Sequence, residues 1–374
     1  MAVIVIAVPD KTRQAHLKTI LPGIVRHILL LAPSWGAQFA GRTPEIKIIV
    51  ATGLHRPHTT AELREVVGKR IYARYRVLTH TQHAKDLVFR GRTSGGAPIF
   101  LNRAAAAADA IVSVGLIEPH LYAGYSGGAK TIAIGLAGRE TIDYTHHPRF
   151  LDKAGTSIGE LKRNPFQQCL WEIIRGLPVR YAVNVVNDRE GRLAKIFEGS
   201  LEDSFAAGTR FAARLFARRF AATCDAVICT VDHPKDANIY QASRAFNYIL
   251  NVKRPVVKNG GIVLVRAALG EGYGDGFGEL KFEAAIRGMG SPESLLRRVK
   301  REGCAAGEHR AYMVAQALTR ARLGFIGPRA IRLTRGTPFL AFENTAAALR
   351  FIRRATPGAR IRIIPHALSL IATR

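Results

Sequence analysis

Acidic side chains are scarce in this sequence: 28 Asp and Glu stand against 55 Lys and Arg, a formal net charge of +27. No carboxylate-rich ligand set and no HExxH run is present, so a hydrolytic zinc centre has no support. Cysteine is scarce too. Cys169, Cys224, Cys229 and Cys304 form neither a CxxC pair nor a dense framework, which argues against a cysteine zinc site and for a reducing, cytoplasmic setting. Long hydrophobic runs are also missing. Stretches such as Ile28–Pro33 and Ile46–Ala51 fall far short of the ~20 residues that a bilayer span needs, so no membrane association is expected. The opening MAVIVIAVPDKTR has no positive segment before it and no small-residue cleavage site, and reads as a first strand rather than a signal peptide.

What is present is ordinary for a globular protein, with 48% hydrophobic and 22% charged residues. At 374 residues the chain exceeds what one hydrophobic core supports, so two domains are expected. A basic surface is compatible with nucleic acid, anionic membrane or small anions as partners. The excess, however, is spread as single arginines and short pairs such as Arg218-Arg219, Arg297-Arg298 and Arg353-Arg354. There is no basic tail, aromatic-rich RNA motif or Cys/His finger, and a nucleic-acid partner is disfavoured.

Short β-branched runs alternate with helical stretches, the pattern of an α/β fold. Val3–Val8, Ile46–Ala51, Arg76–Thr79, Ala110–Val114 and Ala182–Val186 read as strands, and Ala61–Gly68, Arg103–Ala108 and Ser200–Phe220 as helices. Near Thr223 the pattern restarts with strands Asp225–Thr230 and Gly261–Val265 around a helix Ala237–Asn251. The expected division is an N-terminal α/β domain over 1–220, to which 356–374 return, and a C-terminal α/β domain over 221–355.

Open α/β sheets place ligands beyond their strand ends. Three strand ends here carry charged or imidazole side chains. They are Pro9-Asp10-Lys11-Thr12-Arg13, Thr52-Gly53-Leu54-His55-Arg56-Pro57, and Gly115 to His120 running on to Lys130. Gly124–Thr131 approaches a Walker A loop, but Ala129 occupies the second glycine position and the strand ends too early. The glycines still suit an anion cradle, and a phosphate- or nucleotide-binding protein using GYSGGAKT without catalysis remains an alternative. His16, His27, His80, His83, His309 and His366 read as surface or satisfied core residues. Of the adjacent pair His146-His147, at most one is expected to enter a site.

Taken together, DKTR at Asp10–Arg13, ATGLHRP at Ala51–Pro57, EPHLYAGYSGGAK at Glu118–Lys130, His146 and NIYQASRA at Asn238–Ala245 resemble the lactate racemase family that uses a nickel-pincer nucleotide. The matches span roughly residues 3–260, more loosely beyond. The resemblance implies two α/β domains with the active site in the cleft between them. It implies a 2-hydroxy acid substrate, and a pyridinium mononucleotide whose sulfur groups grip nickel, made by dedicated cofactor-biosynthesis enzymes. By position Lys130 is expected to carry the cofactor, with Asp10, Ser126, Gly127 and Gly128 beside it, and His146 to ligate nickel. His55 and His120 take the place of the two acid/base residues, and Arg13, Tyr240, Gln241 and Arg244 that of substrate contacts. The chemistry suits these types: hydride moves to the electron-poor ring while imidazole handles the hydroxyl proton near neutrality. Arg13 offers a two-pronged grip on carboxylate. Arg244 stands where the family has lysine, which bears on the substrate more than on the reaction and points to a larger acid or one with another anionic group.

Overall fold

The computed structural model describes residues 1–252 and 255–373. The fold is α/β, in two compact units. One comprises Met1–Glu118, Tyr125–Thr145 and Asn164–Leu215; the other comprises Pro119–Gly124, His146–Arg163 and Phe216–Arg374.

The first unit is built on strands β1 (Val3–Pro9), β2 (Glu45–Ala51), β3 (Arg76–Thr79), the hairpin strands β4 (Leu87–Arg92) and β5 (Pro98–Asn102), and β6 (Ala110–Leu116). After the two-residue strands β7 (Pro119–His120) and β8 (Gly124–Tyr125) come β9 (Val179–Asn187) and β10 (Leu193–Gly199). Its main sheet runs β10-β9-β6-β1-β2-β3, parallel except for β10. From β1 the chain winds outward through β2 and β3, then resumes on the other side at β6. The strand order therefore reverses between β1 and β6, the position where such sheets bind ligands at their carboxyl ends. The near-continuous apolar runs of β1 and β6 follow from burial on both faces.

The helix Leu17–Leu31 covers this sheet with a stripe of Leu17, Ile20, Leu21, Ile24, Val25 and Ile28, which shares one core with Ile4, Ile6, Val8, Ile48 and Val112. The spacing is that of one helical face, and each such side chain contributes about 1.5–3 kcal/mol by leaving water. Among the described residues one helical stretch, Leu17–Trp35, is long and apolar enough to cross a membrane by length and composition alone. That corrects the expectation that every apolar run is too short. Pro22 and Gly23 lie within it without ending the helix, and its apolar stripe is used in this core.

The second unit holds β11 (Ala217–Arg219), β12 (Cys224–Thr230), β13 (Val257–Arg266), β14 (Arg322–Ile326), β15 (Leu340–Phe342), β16 (Ile361–Ile364) and β17 (Ile371–Thr373). Its sheet, ordered β15-β14-β13-β12-β16, is wholly parallel. Helix Thr345–Ala355 packs Ala348 and Ile352 onto Ala226, Ile228, Ile262 and Leu264.

Three expectations are revised. The C-terminal segment does not return to the first unit: Ile363 pairs with Ile228 and Ala372 with Arg218, both in the second. The helix expected over Ser200–Phe220 spans Leu201–Phe216, because the backbone beyond it pairs with β17. The helix expected over Ala237–Asn251 is two helices, Ile239–Ala242 and Arg244–Leu250, broken at Ser243, whose hydroxyl turns back to the Tyr240 carbonyl.

Ile6 is fully buried on the helix-facing side of β1. Ile6→Ala should lower the unfolding free energy by about 2–5 kcal/mol in urea denaturation followed by circular dichroism; an unchanged midpoint would contradict this core.

Candidate functional site

The first unit gathers its chemistry on the loops after β1, β2 and β6. At the end of β1, Asp10 is only 5% exposed. Its Oδ1 accepts from the Thr12 hydroxyl at 2.6 Å and the Thr12 N–H at 3.1 Å, a local turn that fixes the carboxylate. Its Oδ2 lies 2.6 Å from Nδ1 of His55 on the β2 loop. Burial pushes the Asp10 carboxyl up, but His55, the Thr12 hydroxyl and the Arg13 charge together outweigh it and hold the pKa at about 2. An ionised carboxylate only accepts, so His55 Nδ1 carries the shared proton and Nε2 of the neutral ring is the basic atom. His55 is half-exposed.

Arg13 is directed to Glu118 at the end of β6, with Nη1 donating to Oε2 at 2.6 Å. This ion pair joins the β1 and β6 loops where the strand order reverses. Glu118 was quoted in the sequence pattern but given no role; no spacing marks it as the partner of a residue more than a hundred positions earlier.

The loop leading to Lys130 is fixed from inside. The Ser126 hydroxyl donates to the Leu116 carbonyl at 2.7 Å and accepts from the Glu118 N–H at 3.0 Å. The Gly128 N–H donates to Asn184 Oδ1 at 3.1 Å, and the N–H groups of Lys130 and Thr131 bond to the carbonyls of Gly127 and Gly128. Gly127 and Gly128 have φ of +80° and +53°, and a Cβ on Gly128 would meet the Phe205 ring at 2.6 Å. Left-handed backbone and close packing thus account for both glycines. These bonds use the N–H groups of Gly128, Lys130 and Thr131 within the protein. Lys130, half-buried, opens the short helix Lys130–Ala133. The turn after that helix is tied to the His55 loop, because the Gly53 N–H donates to the Gly135 carbonyl at 2.9 Å.

The second unit gathers a different set. His120 is buried, and its Nδ1 accepts from the N–H groups of Tyr122 and Ala123, each at 3.2 Å. A neutral ring with Nδ1 accepting carries its proton on Nε2, the reverse of His55. The Tyr248 hydroxyl donates to the Pro119 carbonyl at 2.6 Å and holds this loop to helix Arg244–Leu250. The Tyr122 ring lies 5.4 Å from His120, 5.6 Å from His146 and 5.8 Å from His309, and His146 and His309 are 4.9 Å apart. As expected of adjacent residues, His146 and His147 diverge: His146 is buried in this cluster, whereas His147 caps helix Pro148–Leu151 by accepting the Arg149 N–H.

Asn238 caps the helix Ile239–Ala242 through the Gln241 N–H, and its Nδ2 donates to Glu271 and Glu279. That helix and the next present Tyr240, Gln241 and Arg244. Arg244 is buried, with Nη1 donating to Gln241 Oε1 at 3.1 Å.

Two residues of this unit were missed or undervalued. His309 had been read as a bland histidine. Its Nδ1 does accept the Gly307 N–H at 3.0 Å, as a satisfied core residue would, yet its ring faces His146. Burial, then the His146 and Arg310 charges, push its pKa well down, so it stays neutral. Arg310, never singled out, is buried with its guanidinium carbon 5.8 Å from the ring centres of both Tyr122 and Tyr240. By contrast His80 fits its core reading. It is fully buried, bonded to the Ala137 carbonyl and Asn102, and burial lowers its pKa to about 4.

Residues 2–159 match the family model described as the lactate racemase N-terminal domain. Over this stretch the chain is similar to that family. The chain is 31% identical over 277 residues to a lactate racemase of Lactiplantibacillus plantarum and 27% identical over 277 residues to one of Thermoanaerobacterium thermosaccharolyticum. Each match covers 73% of this chain but 62% of the relative, so the chain spans about three-fifths of the length of these racemases. The fold is that of the lactate racemase apoprotein from T. thermosaccharolyticum, with a TM-score of 0.88 at 23% identity over 100% of this chain and 87% of that one. A Thermotoga maritima protein shares it at a TM-score of 0.75 and 15% identity, over 100% of this chain and 94% of that one.

The depressed Asp10 pKa has a measurable consequence. Its ionised form stabilises the fold above pH ~4 by about 2 kcal/mol, and this is lost as the pH falls toward 2. Urea unfolding across this range should show the loss in the wild type and a flatter profile in Asp10→Asn. Parallel profiles for the two proteins would mean that Asp10 is not held ionised by its neighbours.

Proposed function

We propose that the chain racemises or epimerises a 2-hydroxy acid, as its similarity to lactate racemases suggests. The observation that carries this is the opposite engagement of two imidazoles at Nδ1, one by a carboxylate and one by backbone N–H groups. His55, with Nδ1–H held by Asp10, presents a basic Nε2; His120, with Nδ1 accepting two N–H groups, presents an Nε2–H. Inverting a carbinol centre through a planar keto acid needs one group to take the hydroxyl proton and another to return it from the opposite face. His55 is built for the first task, and His120, with Nδ1 filled, offers its Nε2–H to the substrate oxygen. Asp10 orients His55 and stabilises the imidazolium that forms, Tyr240, Gln241 and Arg244 bind the acid, and Arg13, fixed by Glu118, adds positive charge for its carboxylate.

A nickel-pincer nucleotide, when bound, would supply the acceptor for the substrate's hydride. The residues present fit such a group. Among the described residues no cluster of three or more His, Cys, Asp or Glu could hold a metal, so a metal here must bring donors of its own. His146, buried and paired with a neutral His309, suits the role of its protein ligand, and the amine of Lys130 that of covalent anchor. The same reading implies enzymes that make the nucleotide and a cytoplasmic setting, in keeping with four cysteines that form no disulfide among the described residues.

Mass spectrometry of protein co-expressed with those enzymes should find an adduct on Lys130 that Lys130→Ala lacks; an adduct unchanged in the variant would overturn the anchor. His146→Ala should lower nickel content while leaving the melting temperature near that of the wild type, and unchanged nickel would remove its role. His55→Ala and His120→Ala should each slow racemisation by about 10²–10⁴ in both directions. Near-normal turnover in either variant would leave a single mobile base as the simpler account.

A further inference from the structure

In the second unit a buried guanidinium keeps donors unmatched among the described residues. Arg310, in the first turn of helix Glu308–Leu318, is 5% exposed, and its Nε and Nη1 have no hydrogen-bond partner. Its backbone is engaged, with the N–H bonded to the Gly307 carbonyl, so only the side chain is left over. The guanidinium meets the faces of Tyr122 and Tyr240, which accommodate a cation but accept no in-plane N–H bond. Burial pushes the Tyr122 hydroxyl up to about 12, and the Arg310 charge and, less strongly, that of Arg244 act on it in the opposite sense. A guanidinium in low dielectric with unmade hydrogen bonds is unfavourable until an anion supplies them. Arginine is the side chain whose planar fork suits carboxylate oxygens.

Of the residues around this charge, Tyr240 touches it directly, and Tyr122 links it to His120 and His146. We infer that Arg310, together with Arg244, forms a binding site for a second carboxylate of the substrate, so that the acid handled here is a 2-hydroxy dicarboxylic acid rather than a monocarboxylic one. Lactate has a single carboxylate and a methyl group, and the methyl would face an unpaired guanidinium. A hydroxy diacid satisfies the buried N–H groups with its distal carboxylate. This inference rests on the 2-hydroxy acid reading and narrows its substrate class.

Isothermal titration calorimetry on the purified full chain tests it, with L-lactate, L-malate and inorganic phosphate as titrants. The wild type should bind malate at least about tenfold more tightly than lactate, the worth of one charge-assisted hydrogen-bonded pair. Arg310→Gln should bring the two acids to within about twofold of each other by weakening malate, and Arg310→Lys should restore part of the preference. Equal affinity of the wild type for both acids overturns the inference without any variant, which keeps it testable if Arg310→Gln fails to fold. A malate preference that survives in a folded Arg310→Gln also overturns it. Phosphate binding tighter than malate, abolished in Arg310→Gln, would reassign the site to a phosphoryl group. Binding of neither acid would remove the underlying 2-hydroxy acid reading, and this inference with it.

Discussion

A carboxylate buried at the end of a central strand must be surrounded by donors, and the chemistry of the first unit is organised by that requirement. Asp10 draws in the Thr12 hydroxyl and N–H, and His55 Nδ1 from the neighbouring loop. The Arg13 charge acts on it as well. Charge burial and hydrogen bonding oppose each other there, and the bonding wins by enough to keep the group ionised down to about pH 2. One consequence is conformational, since the β1 and β2 loops are tied together. Another is electronic, since His55 can keep only one tautomer while its partner is a carboxylate.

The second unit resolves buried polarity differently. His120 and His309 each have Nδ1 filled by a backbone N–H, and burial keeps His309 neutral. Their rings, with those of Tyr122 and His146, make an aromatic patch beside which Arg310 lies. The first unit's conspicuous charges find partners within the protein, Asp10 with His55 and Arg13 with Glu118. Arg310 is left with donors unmatched. A site that closes its own hydrogen bonds orients catalytic groups; one that leaves a buried guanidinium open is shaped for something that arrives.

The glycine loop before Lys130 shows how one motif can be explained by two physical causes. Read as a string, GYSGGAK suggests freed N–H groups awaiting a phosphate. In the fold, Ser126 and Gly128 are bonded to Leu116, Glu118 and Asn184, and the absent side chains leave room for Phe205 and Ile117. Packing and internal hydrogen bonds thus account for the glycines without a phosphate.

The sequence by itself determined the α/β class, the strands whose following segments carry Asp10, His55 and His120, and the likeness of the N-terminal part to the lactate racemases. These are matters of local order: burial on both faces writes β-branched runs, and loop chemistry is continuous in the chain. The partition of short segments such as 119–124 and 146–163 was not legible, because six or eighteen residues carry no composition of their own. Nor was the halt of the helix at Phe216, since the pairing of Ala217–Arg219 with Ile371–Thr373 joins residues more than 150 positions apart. Only the tertiary structure decided which nitrogen of each histidine is engaged, that Arg13 is held by Glu118, and that Arg310 is buried beside Tyr122 and Tyr240. A side chain's charge and tautomer depend on what surrounds it in space, and no spacing along the chain records that environment.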